Sequence, residues 1–400
     1  MLWRAKKDIS TIVVHISKPN KQPPVRPSPV EREYKCGNIG NSADHKYVHG
    51  SRIPEMHNPV TGPVFALYYP LFAAFAVPAN LAAVMILSRG RCGLSRGISK
   101  YLVSMASSDL LVVITAVILN RIRGIYFPVS FLTLTPGCSV TAVLTYTARD
   151  SSVWLTVTFT FDRFVAICCK KLKNNYCNVK TAVVVICIVC VLSFVRNIPC
   201  YFMYEPLYIV NSLPWFCSIR SVFYTSTGWA AYEWLDRILT PCLPFLLILV
   251  LNVLTIRNIL EANRVRSRLR AQTNGKNQRD PEMENRRKSI VLLLSISGSF
   301  LLFWITYVVN VFYVRFASGS YFSGSNFSDP RFVLQEGGYM LQLWSCCTNT
   351  CIYAGTQRKF REELKNAAKY PFDLLCRLLT KLPVWKKHPT FIQSDDRTYK

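Results

Sequence analysis

The chain has 400 residues, half of them hydrophobic, and a formal net charge of +26. Its mean hydropathy is positive and its apolar residues gather into blocks of about 20 residues, which is typical of a membrane protein. The lysines and arginines border these blocks instead of forming a separate basic surface. The composition therefore argues against a nucleic-acid-binding protein.

The apolar residues fall into seven blocks after a polar first segment. Residues 1–62 include the proline-rich stretch KQPPVRPSPV and show no pattern that would bury a core, so we expect a disordered segment. The interrupted apolar run at the start does not fit a signal peptide, so the first block is expected to direct membrane insertion. The blocks lie at 63–88, 99–120, 136–169, 180–199, 233–256, 289–314 and 332–354. They predict an all-α membrane protein, a seven-transmembrane helix bundle over residues 63–354.

The basic residues indicate how such a bundle is oriented. Lysine and arginine are concentrated after the first, third, fifth and seventh blocks, within 89–100, 170–180, 257–288 and 358–369. By the positive-inside rule these connections face the cytoplasm, which puts the N-terminus outside the cell and the C-terminus inside.

The third block is the longest and ends in an Asp-Arg-Phe triplet. At a rise of about 1.5 Å per residue, the helix from Cys138 to Arg163 spans about 38 Å, more than the ~30 Å hydrocarbon core of a bilayer. We therefore expect these two residues on opposite sides of the membrane.

The segment after the seventh block has a helical pattern of its own. Within 355–370, Phe360, Leu364 and Ala368 share one face and basic residues surround them, which predicts a short amphipathic helix on the inner leaflet. Residues 371–400 are expected to form a cytoplasmic tail. Its few phosphorylation sites for arrestin binding are Thr390, Ser394 and Thr398.

Two covalent modifications are possible on the outer side. The cysteines there are Cys36, Cys138, Cys200 and Cys217. A bond between Cys138 and Cys217 would pin the long fourth connection over the mouth of the bundle, whereas spacing does not support a bond between Cys36 and Cys200. Asn326 begins an Asn-Phe-Ser glycosylation sequon, which the geometry of a short loop could defeat.

Several short motifs occur at matching places in the seven blocks. They are PAN with Asn80, MASSDL with Asp109, the triplet Asp162-Arg163-Phe164, SGSFLLFW with Phe300 and Trp304, and NTCIY with Asn349 and Tyr353. Together with a cysteine atop the third block, they resemble the rhodopsin-like (class A) G-protein-coupled receptors over about 300 residues. The stretches SSVWLTVTFTFDRFVAICC, DPEMENRRKS and CCTNTCIY are similar to the subgroup of probable G-protein coupled receptors 139 and 142.

The resemblance implies a plasma-membrane receptor that passes an extracellular signal to a heterotrimeric G protein. For the subgroup, it implies an aromatic amino acid or small peptide as ligand and a G protein of the Gq class.

The resemblance also implies roles for individual residues. Asp162, Arg163 and Phe164, with Asn349 and Tyr353, would form the G-protein switch, although an arginine there could simply reach to the interface. Asp109, Ser152 and Asn349 would hold a sodium ion, the only cofactor expected. The alternative is a protonated or hydrogen-bonded buried aspartate. Phe300 and Trp304 would relay ligand contact along the sixth helix, although such aromatic pairs are often only packing.

Three positions depart from the family pattern. No proline lies two residues after Trp304, Thr350 stands where the seventh helix usually has proline, and the fourth block has no tryptophan. The expected kink of the sixth helix loses its usual cause, and this puts the details of activation in question.

Arg149 is the least expected residue because it lies near mid-membrane in the third block, where an unpaired charge is untenable. Asp150 is expected to point elsewhere, since adjacent helical residues do not share a face. The candidate partners are Glu233, Asp236 and Glu336. Arg149 would either bind the carboxylate of a ligand while one of these acids binds its ammonium group, or form a permanent ion pair without a ligand role.

Single positions argue against other functions. The seventh block has no lysine for a retinal Schiff base, and Thr145 stands where amine receptors have aspartate; Thr145 and Trp304 are expected in the ligand pocket. All histidines, at 15, 45, 49, 57 and 388, lie in the tails, so we expect no enzyme and no metal site. A seven-helix transporter or channel would show repeats that are not seen. A non-signalling receptor-like binding protein remains the other alternative.

Overall fold

The computed structural model describes residues 63–272, 281–317, 330–367 and 369. Seven long helices dominate these segments. They are α1 Pro63–Ser88, α2 Arg96–Tyr126, α3 Thr135–Cys168, α4 Val179–Asn197, α5 from Thr227 to Gln272, α6 Pro281–Ala317 and α7 Pro330–Thr356. An eighth helix, α8, covers residues 358–367.

Two of the long helices are not uniformly α-helical. Helix α2 is α-helical over Arg96–Val112, π-helical over Val113–Ile122 and α-helical again over Arg123–Tyr126. Helix α5 joins Thr227–Arg237 to Leu243–Gln272 through a π-helical segment, Ile238–Cys242. The sequence blocks did not predict either irregularity.

The helices extend beyond the apolar blocks that predicted them. Helix α1 ends at the predicted Ser88, whereas α2 begins at Arg96 and continues to Tyr126, and α5 begins at Thr227. Hydropathy marks only the apolar part of a helix, while hydrogen bonding continues into its polar ends. Caps set some of these limits: the Ser95 side chain accepts from the Ile98 amide at 3.4 Å, and Asn178 accepts from the Thr181 amide at 2.8 Å.

Helices α6 and α7 run without interruption where the family pattern has prolines. Instead of a proline, Thr350 of α7 donates a hydrogen bond from its hydroxyl to the Ala79 carbonyl of α1 at 3.2 Å. The Asn80 amide donates to the Cys346 carbonyl at 2.8 Å. These polar contacts tie α1 to α7.

Helix α3 lies at the centre and packs against α2, α4, α5 and α6. Its first turn is crowded: a Cβ atom on Gly137 would lie 2.9 Å from the Leu132 Cα, so only glycine fits there. Among the described residues the core divides into clusters. One surrounds Tyr101, Phe159 and Tyr353, and another surrounds Phe65 and Tyr69.

An antiparallel hairpin covers one end of α3. Strands β1 Tyr204–Val210 and β2 Leu213–Ile219 pair from Tyr204 with Ile219 to Val210 with Leu213. Asn211 and Ser212 both have positive φ, which is the conformation of a two-residue hairpin turn that follows the strand twist. A disulfide joins Cys217 of β2 to Cys138 of α3, and this confirms that expected pairing.

The protein is a helical, multi-pass membrane protein. Within the described segments, five helices are long and apolar enough to cross a bilayer: Pro63–Ser88, Arg96–Tyr126, Val179–Met203, Thr227–Val265 and Arg287–Tyr313. Helix α4 turns large apolar side chains outward, among them Val184, Ile188 and Leu192. Such an outward surface is suited to lipid rather than to water.

Several expectations lie outside the described residues. They concern the segment 1–62, Cys36, the sequon at Asn326, the tail 371–400 and its sites Thr390, Ser394 and Thr398.

Candidate functional site

The triplet at the end of α3 contains a buried ion pair. The Arg163 guanidinium donates through Nε to Asp162 Oδ2 at 3.0 Å and through Nη2 to the same oxygen. Both residues are buried, and Phe164 is half-buried. Each charge of such a pair is stabilised by the other, and removing one of them would leave an uncompensated buried charge.

The thiol of Cys177, in the connection after α3, contacts the backbone of Asp162. Burial, followed by the nearby Asp162 charge, raises the pKa of Cys177 to about 11. The thiol is therefore protonated at neutral pH and donates to the Asp162 carbonyl at 3.5 Å.

Tyr353, the other aromatic residue assigned to the switch, is fully buried in α7. Its ring meets the Phe360 ring of α8 edge-on, with centroids 5.8 Å apart. Within the described part of the chain, the Tyr353 hydroxyl has no hydrogen-bond partner. The tyrosine is therefore held by packing, and its hydroxyl remains available to a partner in another conformation.

The three residues assigned to an ion site lie together between α2, α3 and α7. Asp109 is fully enclosed, Ser152 donates to its Oδ1, and the Asn349 amide donates to its Oδ2 at 2.9 Å. A small cavity lies beside them, lined in part by Ser152, Thr156, Ser299, Ser345 and Asn349. The Asp109 carboxylate is not part of this lining but is bonded to Ser152 and Asn349, which are. The oxygens of these hydroxyl, amide and carboxylate groups are the ligand type that a hard cation such as sodium takes.

The two aromatic residues of α6 are stacked. The Phe300 and Trp304 ring centroids lie 5.1 Å apart at an interplanar angle of 24°. Trp304 also donates from Nε1 to Ser345 Oγ at 3.1 Å. The pair packs with Val157 of α3 and Ile248 of α5. A displacement of Trp304 would therefore change its contacts with α3, α5 and α7.

Arg149 lies between two aspartates, and one expectation about it was wrong. Its Nη2 atom is 3.5 Å from Asp236 Oδ1, as one of the candidate pairings required, but it is also 3.6 Å from Asp150 Oδ1. Adjacent helical residues diverge at Cβ, but a guanidinium is long enough to fold back toward its neighbour. Arg149 also lies over the Tyr146 ring, 4.8 Å from its centroid.

The other two candidate acids pair elsewhere. Glu233 accepts a hydrogen bond from Arg237 at 2.8 Å, one turn along the same helix. Glu336 lies 3.4 Å from Arg121 of α2.

Thr145, the other residue predicted in the ligand pocket, donates its hydroxyl to the Thr141 carbonyl at 2.7 Å within α3.

Arg196 of α4 lies at the centre of the contacts around Arg149 and Asp236, and it was not among the predicted site residues. Its Nη2 atom donates to Asp150, to Asp236 at 3.0 Å and to Thr240 Oγ1 at 3.2 Å. The neighbouring Asn197 donates to Asp150 at 2.6 Å. The signal was present, because an arginine and an asparagine stand inside an otherwise apolar block.

Arg121 was also missed, because the second block was ended one residue before it. It lies on the continued α2, where its guanidinium is 5.4 Å from the Tyr69 ring centroid and 4.8 Å from that of Tyr339. With Glu336 it forms a second charged contact, between α2 and α7.

Comparison with protein families gives one match over most of the bundle. A family model described as 7 transmembrane receptor (rhodopsin family) matches residues 79–353. The matched range begins in α1, ends at Tyr353 and contains all the residues assigned to the switch, the ion site, the aromatic pair of α6 and the ligand pocket.

Proposed function

The chain belongs to the rhodopsin family of seven-transmembrane receptors. We propose that its ligand is an aromatic amino acid or a small peptide and that ligand binding activates a G protein of the Gq class. Membership supports a G-protein-coupled signalling role with an extracellular ligand and a heterotrimeric G protein as partners. The ligand class and the Gq class rest on the resemblance to the subgroup of probable G-protein coupled receptors 139 and 142.

In the proposed topology all seven long helices cross the plasma membrane, including the more polar α3 and α7. The N-terminal segment 1–62 is extracellular, and the tail 371–400 is cytoplasmic. Basic residues after α1, α3, α5 and α7 support this orientation. Helix α8 lies on the inner leaflet, held by Phe360 and Leu364, which pack against the bundle core.

The buried Asp162–Arg163 pair is the observation that carries the signalling proposal. The resting receptor keeps Arg163 on Asp162. In the active state the guanidinium is released into a cytoplasmic cleft where the G protein binds. An agonist shifts this equilibrium only as far as its affinities for the two states differ.

The contacts of α6 provide a route from ligand to cleft. Trp304 lies beside the proposed pocket, stacks on Phe300 and bonds to Ser345 of α7. A sodium ion beside Asp109 would favour the resting state by occupying the space that α3 and α7 enclose. Arrestin binding after phosphorylation of the tail remains an expectation about residues 371–400.

Arg149 is the proposed carboxylate-binding residue of the ligand pocket. Its guanidinium lies over the Tyr146 ring and has hydrogen-bond donors without an acceptor among the described residues. A ligand with a carboxylate and an aromatic group meets both features.

Calcium mobilisation in cells that express the full chain tests the proposal. Free amino acids and small peptides are applied to the wild type and to Arg163→Ala, with surface expression measured in both. A response to tryptophan or phenylalanine in the wild type that is lost in Arg163→Ala supports a Gq-coupled receptor for amino acids. An equal response in the variant argues against the switch. If no calcium response occurs although the receptor is expressed normally at the surface, the proposed ligand class and the Gq class are rejected, whereas family membership is unaffected.

A further inference from the structure

The connection between α1 and α2 is basic and exposed. Arg89, Arg91 and Arg96 are all exposed, and residues 89–100 contain no aspartate or glutamate. The apolar span of α1 ends at Ser88, so Arg89 follows directly on the segment that can cross a bilayer. Arginines in this place lie at the level of the lipid headgroups.

Helix α8 lies against this connection. Gly93 has a φ of +71°, and a Cβ atom there would lie 3.3 Å from the Lys359 Cδ and 3.4 Å from its Nζ. Only a glycine gives this close approach without displacing the lysine. The Lys359 ammonium therefore joins three arginines that lie within four residues of Gly93 in the chain. We call Arg89, Arg91, Arg96 and Lys359 the basic patch.

The acidic residues of α8 do not neutralise the basic patch. Glu362 accepts a hydrogen bond from Arg358 at 2.9 Å, one turn away on the same helix. Glu363 is half-buried and close enough to the buried Cys92 thiol to interact with it electrostatically. None of the four patch residues forms an ion pair with an acid in the described part of the chain. Their charges are therefore available to an anion from outside the protein.

An apolar surface leads along α1 to the basic patch. Leu71, Phe75, Leu81 and Met85 are large, exposed side chains on successive turns of α1. Met85 lies one helical turn before Arg89, so the apolar face ends where the cations begin. Acyl chains fit the first surface and an anionic headgroup fits the second. The two together match a phospholipid better than a soluble anion.

We propose that the basic patch binds the headgroup of a polyphosphorylated phosphoinositide, with the acyl chains along the exposed face of α1. Four cations without an internal partner suit several phosphates better than the single net charge of phosphatidylserine. Guanidinium groups also bind phosphate oxygens in pairs. The inference rests on the proposed topology, which puts this end of α1 at the inner leaflet, and not on the ligand or the G-protein class.

Removing cations from the basic patch should weaken lipid binding strongly. A basic residue beside an anionic lipid contributes about fivefold in affinity. The combined variant Arg89→Gln, Arg91→Gln and Lys359→Gln should therefore bind the phosphoinositide about a hundredfold more weakly. Replacing the same residues by Arg89→Lys, Arg91→Lys and Lys359→Arg keeps the charge and should keep most of the affinity.

Native mass spectrometry of the purified full chain measures this binding without agonist or G protein. The probes are phosphatidylinositol 4,5-bisphosphate, phosphatidylserine and inositol 1,4,5-trisphosphate, which has the phosphates of the first lipid without its acyl chains. The matched control combines Lys173→Gln, Arg257→Gln and Arg264→Gln. It removes two arginines and one lysine that are exposed but lie outside the basic patch. Thermal unfolding of each variant verifies that it is folded.

The proposal predicts that the wild type and the control bind the bisphosphate lipid more tightly than either other probe. It is overturned if phosphatidylserine or the free trisphosphate binds equally well, if the glutamine variant keeps the wild-type affinity, or if the control loses as much affinity as that variant. An equal loss in the charge-keeping variant would also overturn it. Intact lipid binding without a calcium response to amino acids counts against the proposed function alone.

Discussion

Several buried charged residues in this bundle are paired between helices, and the pairing determines what a single substitution costs. Arg121 of α2 and Glu336 of α7 have side chains only 12% and 10% exposed. If one of them is removed, the other charge is left buried without its closest counter-ion. Such a loss is far more expensive than removing both.

Replacing Arg121 with Met should therefore lower the free energy of unfolding by about 3 kcal/mol. The double variant Arg121→Met with Glu336→Leu should recover most of that loss, because no buried charge remains. Thermal unfolding of the detergent-solubilised proteins gives both values. Additive losses in the double variant would show that the two side chains do not stabilise one another.

The ion site at Asp109 should make agonist affinity depend on sodium. Asp109→Asn keeps the shape of the side chain and one of the two oxygens that accept from Ser152 and Asn349, replaces the other oxygen by an NH2 donor, and removes the charge that would hold sodium. Agonist affinity of the wild type should fall when sodium chloride replaces N-methylglucamine chloride at equal ionic strength, and the variant should show no such change. Ser299→Ala serves as a control, since Ser299 lines the cavity but already bonds to the Ile296 carbonyl at 2.8 Å. A sodium effect that survives in Asp109→Asn would contradict the assigned site.

Individual residues differed in how far the sequence predicted them. Asp109, Ser152 and Asn349 meet as expected, because a recognisable motif sequence fixed each position on its helix. The environment of Arg149 was only partly foreseen. Side-chain partners depend on rotation and tilt of whole helices, and a long guanidinium can reach several acids. Arg196 was overlooked although its charge in an apolar block was a usable signal.

At the scale of elements, packing of one aromatic side chain fixes α8 to the bundle. Phe360 is fully buried and meets Tyr353, whereas Lys365 on the same helix is exposed. Arg361 adds a contact from its Nη1 to the Ala354 carbonyl at 3.2 Å, near the end of α7. Helix α8 is therefore held mainly by the buried Phe360 ring, with Leu364 packed beside it, and by the Arg361 contact with the end of α7.

Phe360→Ala should cost about 3 kcal/mol of stability, because it removes a buried ring and leaves a cavity. Lys365→Ala should change stability by less than about 0.5 kcal/mol. The midpoints of thermal unfolding of the two purified variants make the comparison. Equal midpoints would mean that α8 does not dock through Phe360.

Elements were predictable where hydropathy alone defines them, and less so where backbone irregularity does. The end of helix α1 was predicted correctly, while the π-helical segments Val113–Ile122 and Ile238–Cys242 were not foreseen. An inserted residue in a helix leaves the apolar composition unchanged, so no block pattern reports it. The first of these segments carries α2 past the end of the second apolar block, so that Arg121 lies on the helix although the block ended at residue 120.

At the scale of the molecule, α3 connects every proposed function. One end of α3 carries the disulfide to the hairpin, its middle carries Arg149 and Ser152, and its other end carries Asp162 and Arg163. Motifs spread over the chain were enough to predict a rhodopsin-like receptor, since each is local in sequence. The ligand pocket combines side chains from several helices, so its shape and charge required the three-dimensional structure.

Guanine-nucleotide exchange shows whether the buried Asp162–Arg163 pair is the signalling switch. The purified receptor in lipid nanodiscs is combined with purified Gq heterotrimer, and exchange is measured with and without L-tryptophan for the wild type, Arg163→Ala and the exposed control Lys365→Ala. We expect ligand-stimulated exchange in the wild type and the control, and its loss in Arg163→Ala at unchanged tryptophan binding. Stimulated exchange of equal size in Arg163→Ala would contradict the assignment of the buried Asp162–Arg163 pair as the switch.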